Sequence, residues 1–290
     1  LGTMLRHGFG GLDPAELIAE VKQRLTEELD YRREAANQSR FAAVYRDHPF
    51  IDVPAVVPAL STARVLTTEL ATGATWREML TWDQHQRDLA GECLFRFVFR
   101  SLYGMHAFNG DPHPGNYLFH GNGHVTFLDF GLVRYFSDVE MGNFVAMVKA
   151  AAYDHDPDAF RAALESAGLL RPGAPVTTAA VWDYFSHFYA TVTEDRTTAW
   201  TKEYASGIVR HTFDRSSPIA QYATVPRAFV FIQRINLGLY ALLGDLGARG
   251  NYRRMAEELW PFTDGPPSTP MAAAEAPWLA ARRSADGDHR

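Results

Sequence analysis

Apolar residues recur at helical spacing over the first forty positions. In "GLDPAELIAEVKQRLTEELDYRREAANQSRF", Leu17, Ile18, Val21, Leu25 and Leu29 fall on one stripe. Asp13 is a suitable N-cap, Pro14 suits the first helical position, and Glu16 completes a capping-box pattern. A long helix is predicted from there. Glu28 follows Val21 by seven residues and sits on or beside the stripe, where it either reaches water or is buried with a partner. The pattern then changes. "FIDVPAVVPAL" and "ARVLTTELATG" are short, rich in valine and threonine and bounded by Pro or Gly, so both predict strands. A helix is predicted from Thr81 to Gly104, its apolar face formed by Leu89, Cys93, Leu94, Phe97, Val98 and Leu102. Beyond Ser137, "VEMGNFVAMVKAAAYD", "PDAFRAALESAG", "TAAVWDYFSHFYATVTE" and "VPRAFVFIQRINLGLYALLGDLG" predict helices. Residues 265–290 are rich in Pro, Ala and charge and predict a disordered tail.

This order predicts an α+β fold in which a small strand-bearing part feeds a larger helical part. Composition changes little in that picture. The 290 residues are 47% hydrophobic and carry a formal net charge of −6, which weighs against nucleic acid as a partner. The single cysteine, Cys93, lies in the apolar run "AGECLFRFVF" and predicts a buried thiol in a reducing, cytoplasmic setting. The longest apolar run, "AFVFIQRINLGLYALLG", is interrupted by Gln233, Arg234 and Asn236, so no transmembrane helix is predicted. No signal peptide opens the chain, and its leucine start suggests a fragment of a longer product.

The chemistry concentrates in "NGDPHPGNYLFHGNGHVTFLDFGLV", residues 109 to 133. Asn122-Gly123 is a strong hairpin signal. As a two-residue loop it sets Gly121 opposite His124 and, counting outward, Asn116 opposite Asp129. Two hard oxygen donors meeting there suit Mg²⁺, which takes few protein ligands and completes its shell with water and phosphate oxygens. Asp111 lies on a loop stiffened by Pro112 and Pro114. Phosphoryl transfer asks a protein for positioning, charge neutralisation and a group that orients the nucleophile. An Asp-x-x-x-x-Asn segment followed across a hairpin by Asp-Phe-Gly supplies those parts, with Asp111 as catalytic residue and Asn116 and Asp129 as metal ligands. His106, His113, His120 and His124 lack the spacing of a zinc site.

Two separated blocks then resemble the ABC1/ADCK/UbiB (AarF-like) family of atypical kinases. "EELDYRREAANQSRF" is similar to the family's Glu-x-Asp motif followed by Glu-Ala-x-Asn, here Glu28, Asp30, Glu34 and Asn37. "GDPHPGNYLF…VTFLDFG" is similar to its Ala-Asp-Pro-His-Pro-Gly-Asn and Leu-Asp-Phe-Gly motifs. The resemblance implies a protein-kinase-like fold, with a partial N-lobe over 1–70, a helical C-lobe over 71–264 and the tail over 265–290. It implies ATP and Mg²⁺ as cofactors, with Glu28, Asp30, Asn37 and Gly131 on the nucleotide side. It implies a small-molecule or lipid acceptor, a link to isoprenoid quinone or lipid metabolism, and peripheral contact with a membrane.

Three features depart from the family. No Lys-x-Gly-Gln helix, phosphate loop or strand lysine precedes Glu28; the lysines are Lys22, Lys149 and Lys202. Asn109 stands where the family has His, and no C-terminal membrane span follows. Two further readings stay open: an aminoglycoside- or choline-type phosphotransferase, a class that also uses Gly-Asp-x-His-x-Gly-Asn and a following Asp, and a non-catalytic, pseudokinase-like scaffold, which the missing lysine favours.

Overall fold

The computed structural model describes residues 30–213 and 216–287. The predicted helix start, with Asp13, Pro14 and Glu16, lies outside the described residues, as do Glu28 and Lys22. The predicted helix is not continuous through Asp30: a helix, α1, Tyr31–Val44, starts there, because Asp30 is an extended N-cap whose carboxylate accepts from the Arg32 amide at 3.1 Å. It packs Phe41 into the core and Asn37 beneath the Asp-Phe-Gly turn.

The two predicted strands after α1 are mostly irregular. "FIDVPAVVPAL" forms only β1, Ile51–Asp52, and a 3₁₀ turn at Pro58–Leu60. Pro54 and Pro58 have no N–H, so a continuous ladder cannot form. The second segment meets the first through one bridge, Val56 with Thr68, flanked by Val57 N–H to Thr67 and Glu69 N–H to Ala55, both 2.8 Å. A capped turn of helix, α2 at Trp76–Met79, follows.

The central helix α3, Gln84–Met105, starts at the Asp83 cap and ends at His106 in the left-handed conformation, φ 49°. It buries Cys93, Leu94 and Phe97, and the buried thiol agrees with the sequence. β2 (Ala107–Asn109) pairs antiparallel with β5 (Val133–Tyr135). Between them lie β3 (Tyr117–Gly121) and β4 (His124–Phe127), which with β1 form a three-stranded sheet in the order β1-β4-β3. Phe97 stacks on Phe127 at 3.7 Å between ring centroids, and Phe41 packs on Phe130 at 4.9 Å. These aromatic contacts join α1, α3 and the hairpin in one core.

The helical remainder comprises α4 (Asp138–Val148), continued by one π-helical turn over Lys149–Tyr153, then α5 (Pro157–Ser166) and α6 (Thr178–Phe185). The short pair β6 (Thr198–Ala199) and β7 (Arg249–Gly250) brackets α7 (Lys202–Phe213) and α8 (Arg227–Leu246). α9 (Tyr252–Glu257) then leads to the C-terminal segment. By length and composition Phe229–Leu246, within α8, is apolar enough to cross a membrane. Ile235, Leu239, Leu243 and Leu246 of that helix are buried in the protein.

The segment predicted to be a disordered tail is instead a helix, α10, Pro270–Gly287. Met271, Ala272 and Glu275 are buried, and the Trp278 indole donates to the Arg46 carbonyl at 2.9 Å. Polar anchoring explains the difference. Glu275 is fully buried, 2.5 Å from Arg100 and 3.6 Å from Arg96, and accepts from the His48 ring at 3.0 Å. Arg96, also fully buried, is bound by Glu92 and Glu258 as well. A composition argument counts these charges as solvated, whereas here they pair.

Candidate functional site

The hairpin turn forms as the dipeptide predicts, with Asn122 at φ 50° and Gly123 at φ 76°, and Gly121 faces His124. Beyond the turn the register slips by one. Phe119 faces Val125, Leu118 faces Thr126 and Tyr117 faces Phe127, with His120 as the extra residue of a β-bulge. The slip is required by burial. Tyr117, Phe119, Val125 and Phe127 are all buried, and only the bulged register puts both pairs on one face. Asn116 therefore does not face Asp129. It stands opposite Leu128, whose N–H donates to the Asn116 carbonyl at 3.0 Å.

Asn116 is turned to Asp111 instead. Its Nδ2 donates to the Asp111 carbonyl at 3.1 Å and to the Asp111 carboxylate at 3.3 Å. The Asp111 loop is held at its start by β2 and by the Gly110 N–H donating to Leu132 at 2.6 Å. Asn109 Nδ2 donates to the Asp129 carbonyl at 2.6 Å. Asn109, where the resemblance led one to expect His, thus ties the Asp111 loop to the Asp-Phe-Gly segment.

Pro112 fixes the loop from outside. It packs against Gly238 of α8, where a Cβ would lie 2.0 Å from the Pro112 Cγ. Both partners are rigid, so Gly238→Ala must displace the Asp111 loop. The overpacking is expected to cost about 1–3 kcal/mol of stability, measurable by denaturant titration. A loss of Mg-nucleotide response larger than that of a control substitution elsewhere on α8 is expected alongside.

Asp129 accepts from the Gly131 N–H at 2.9 Å, which orients one carboxylate oxygen. Asn37 reaches the same turn from α1. Its Nδ2 donates to the Phe130 carbonyl at 3.0 Å and its Oδ1 accepts from the Tyr135 hydroxyl at 3.1 Å. Both ends of the Asn37 amide are thus occupied, and its part is to hold the turn. Asp30 caps α1 and is exposed.

Glu34 was in the motif but absent from the expected site, and the fold brings it to Asp129. A Cβ on Gly131 would lie 3.4 Å from both the Asp129 Oδ1 and the Glu34 Oε2, so the glycine leaves a gap between two carboxylates. Burial and the nearby Asp129 charge push the Glu34 carboxyl above its usual range, against a hydrogen bond from the Phe130 backbone. Its signal in the sequence is the spacing of three from Asn37, which puts both on one helix face. Tyr117 was also missed. Burial, then the charges of Asp111 and Asp129, push its hydroxyl well above the ordinary value.

Asp111, Asn116, Asp129 and Glu34 offer oxygen donors to a metal, and the Glu34 and Asp129 carboxylates face one another across Gly131. That donor set and the gap at Gly131 fit Mg²⁺. Among the described residues no three His, Cys, Asp or Glu side chains form a closed metal cage, which suits an ion that also binds water and phosphate. The two described lysines pair elsewhere, Lys149 with Asp154 and Lys202 with Asp245.

Known proteins resemble this chain. The model of the ABC1 atypical kinase-like domain matches residues 2–163. The rat "Atypical kinase COQ8B, mitochondrial" is 38% identical over 149 residues, 51% of this chain and 28% of that protein. The Arabidopsis thaliana "Protein ACTIVITY OF BC1 COMPLEX KINASE 8, chloroplastic" is 29% identical over 170 residues, 57% of this chain and 22% of that protein. The chain thus spans under a third of the length of these curated relatives. The solved complex of Rv3197 with erythromycin from Mycobacterium tuberculosis superposes with a TM-score of 0.71 at 27% identity, over 90% of this chain and 66% of that one. Those matches agree with the α+β, kinase-like fold, and the chain belongs to the ABC1 atypical kinase-like family.

Proposed function

We propose that this chain carries the metal and catalytic half of an Mg-ATP-dependent kinase or ATPase site. The observation that supports the reading best is the tie between the two loops, with Asn116 bound to Asp111, Asn109 bridging to the Asp129 carbonyl, and Asp129 and Glu34 facing the gap at Gly131. In this reading Asp129, Asn116 and, across the Gly131 gap, Glu34 hold Mg²⁺. Bound there, the ion would neutralise charge on the nucleotide phosphates. Asp111 orients the attacking hydroxyl or water and accepts its proton. Asn116 fixes the Asp111 carboxylate for that task, and Pro112 on Gly238 fixes the loop. Membership of the ABC1 family extends the proposal to a small-molecule or lipid acceptor, a link to isoprenoid quinone or lipid metabolism, and peripheral membrane contact.

A second, scaffold reading is favoured by one observation: neither described lysine is free to meet a phosphate. The two readings differ in a thermal-shift titration with Mg²⁺ and the non-hydrolysable analogue AMPPNP. The kinase reading expects a shift of several degrees at millimolar analogue, lost when EDTA removes the metal. A melting temperature unmoved at 10 mM analogue would sink it in favour of the scaffold.

A further inference from the structure

Away from the Asp111–Asp129 site, α3, α4, α6 and α8 surround a cavity of about 220 Å³. Protein interiors are close-packed, and empty space on this scale is uncommon because its lining loses dispersion contacts. An apolar cavity of about 150 Å³ can hold benzene, so this one has room for a two-ring molecule. Its wall is largely aromatic, with Phe99, Phe108, Phe144 and Phe188 among its residues. It opens beside Thr224 and Val225, the latter 55% exposed.

The wall has a polar part. Tyr103, Tyr189 and Tyr240 line it, and their hydroxyls lie within electrostatic range of one another. Asn236 also lines the cavity, and its buried Oδ1 has no hydrogen-bond partner among the described residues. A buried carbonyl oxygen left unpaired is costly, and a ligand N–H or O–H would satisfy it.

Helix α8 separates this cavity from the catalytic loop. Gln233, Asn236 and Tyr240 face the cavity, whereas Ile235 and Leu239 lie under the Asp111 loop and Gly238 seats Pro112. The helical period keeps these sets on different faces.

We propose that the cavity is a binding site for a compact aromatic molecule carrying one hydrogen-bond donor, distinct from the nucleotide site. Its aromatic walls take the rings in offset or edge-to-face contact, and Asn236 accepts the donor. The site is of the ordinary small-molecule kind, mostly apolar with few placed polar groups.

The test uses the full chain with 1-naphthol and naphthalene as probes, followed by fluorescence titration. Saturable 1:1 binding of 1-naphthol is expected, at least tenfold tighter than naphthalene. Ala223→Trp, in the wall, and Val225→Trp, at the mouth, should each weaken it tenfold or more with the far-ultraviolet circular dichroism unchanged. Asn236→Leu should bring 1-naphthol down to the affinity of naphthalene. Mg-AMPPNP should leave the 1-naphthol affinity unchanged. Non-saturable binding, binding untouched by both tryptophan variants, a preference that survives Asn236→Leu, or competitive displacement by Mg-AMPPNP would each overturn the proposal.

Discussion

Asp129→Asn should erase the Mg-AMPPNP thermal shift that the wild-type chain shows. The substitution keeps the side-chain shape and one carbonyl oxygen, so the hydrogen bond from the Gly131 N–H can persist. What it removes is charge. Mg²⁺ is a hard cation whose binding here depends on carboxylate, and the variant keeps only one carboxylate of the proposed ligands, Glu34, beside the neutral amide of Asn116, which is already bound to Asp111. A ligand present at ten times its dissociation constant stabilises a fold by roughly 1.4 kcal/mol, and a variant that does not bind shows none of it. The free protein should respond in the opposite sense. Glu34 faces Asp129 with its carboxyl pushed up by burial and by that charge. Removing the charge relieves the repulsion, so the variant without ligand should melt no lower than wild type. A variant that melts lower and still shifts with Mg-AMPPNP would place the metal elsewhere.

Glu275→Ala should destabilise the protein by about 3–5 kcal/mol, the usual cost of removing one partner from a buried ion pair. The carboxylate is fully buried and faces Arg96, Arg100 and His48. Its loss leaves Arg96, itself fully buried, with Glu92, Glu258 and the Thr269 hydroxyl, and unfastens α10. The pH dependence follows from the same cluster. Burial alone would raise the Glu275 carboxyl, but the His48 hydrogen bond and the two guanidiniums hold it below the usual range. Burial depresses the His48 ring against the pull of Glu275. The depressed carboxyl suggests a cationic His48 and the depressed ring a neutral one. Geometry decides for neutral: Nδ1 accepts from the Phe50 and Ile51 amides at 3.3 and 3.0 Å, so the proton sits on Nε2, toward Glu275. The arginines suffice to keep Glu275 ionised.

Both depressed groups bind fewer protons folded than unfolded, so both stabilise above their ordinary values and lose that contribution as pH falls. Stability should drop first below about pH 6.5 from His48, then below about pH 4.3 from Glu275. Glu92 and Glu34, raised by burial, act in the opposite sense, and their contribution fades as pH rises through their folded values. In Glu275→Ala the acid limb should flatten. A limb as steep as that of wild type would mean that other carboxylates set it.

The fold was legible where periodicity and capping agree. α3 and α8 begin and end within a few residues of their predicted bounds, because an apolar face and local caps specify a helix without distant partners. The strands after α1 were not legible, since Pro54 and Pro58 count against a ladder more than valine counts for one. The bulge was in principle readable. Asn122-Gly123 sets one pairing parity, whereas burying Tyr117 with Phe127 and Phe119 with Val125 needs the other. An inserted residue is the only way to satisfy both. Glu34 illustrates the opposite case: its nearness to Asp129 arises when Asn37 docks α1 on Phe130, 93 positions along the chain. The anchoring of α10 is likewise non-local, as its Glu275 partners lie on α3 and before β1.

The most direct test of a metal at Asp129 is a crystal structure of the chain with Mn²⁺ and AMPPNP, read in the manganese anomalous difference map. One strong peak is expected within bonding distance of an Asp129 carboxylate oxygen and the Asn116 side-chain oxygen, beside Gly131, with the analogue's phosphates completing the shell. A map with density for the analogue but no peak at Asp129, or with manganese bound only at other carboxylates, would contradict it.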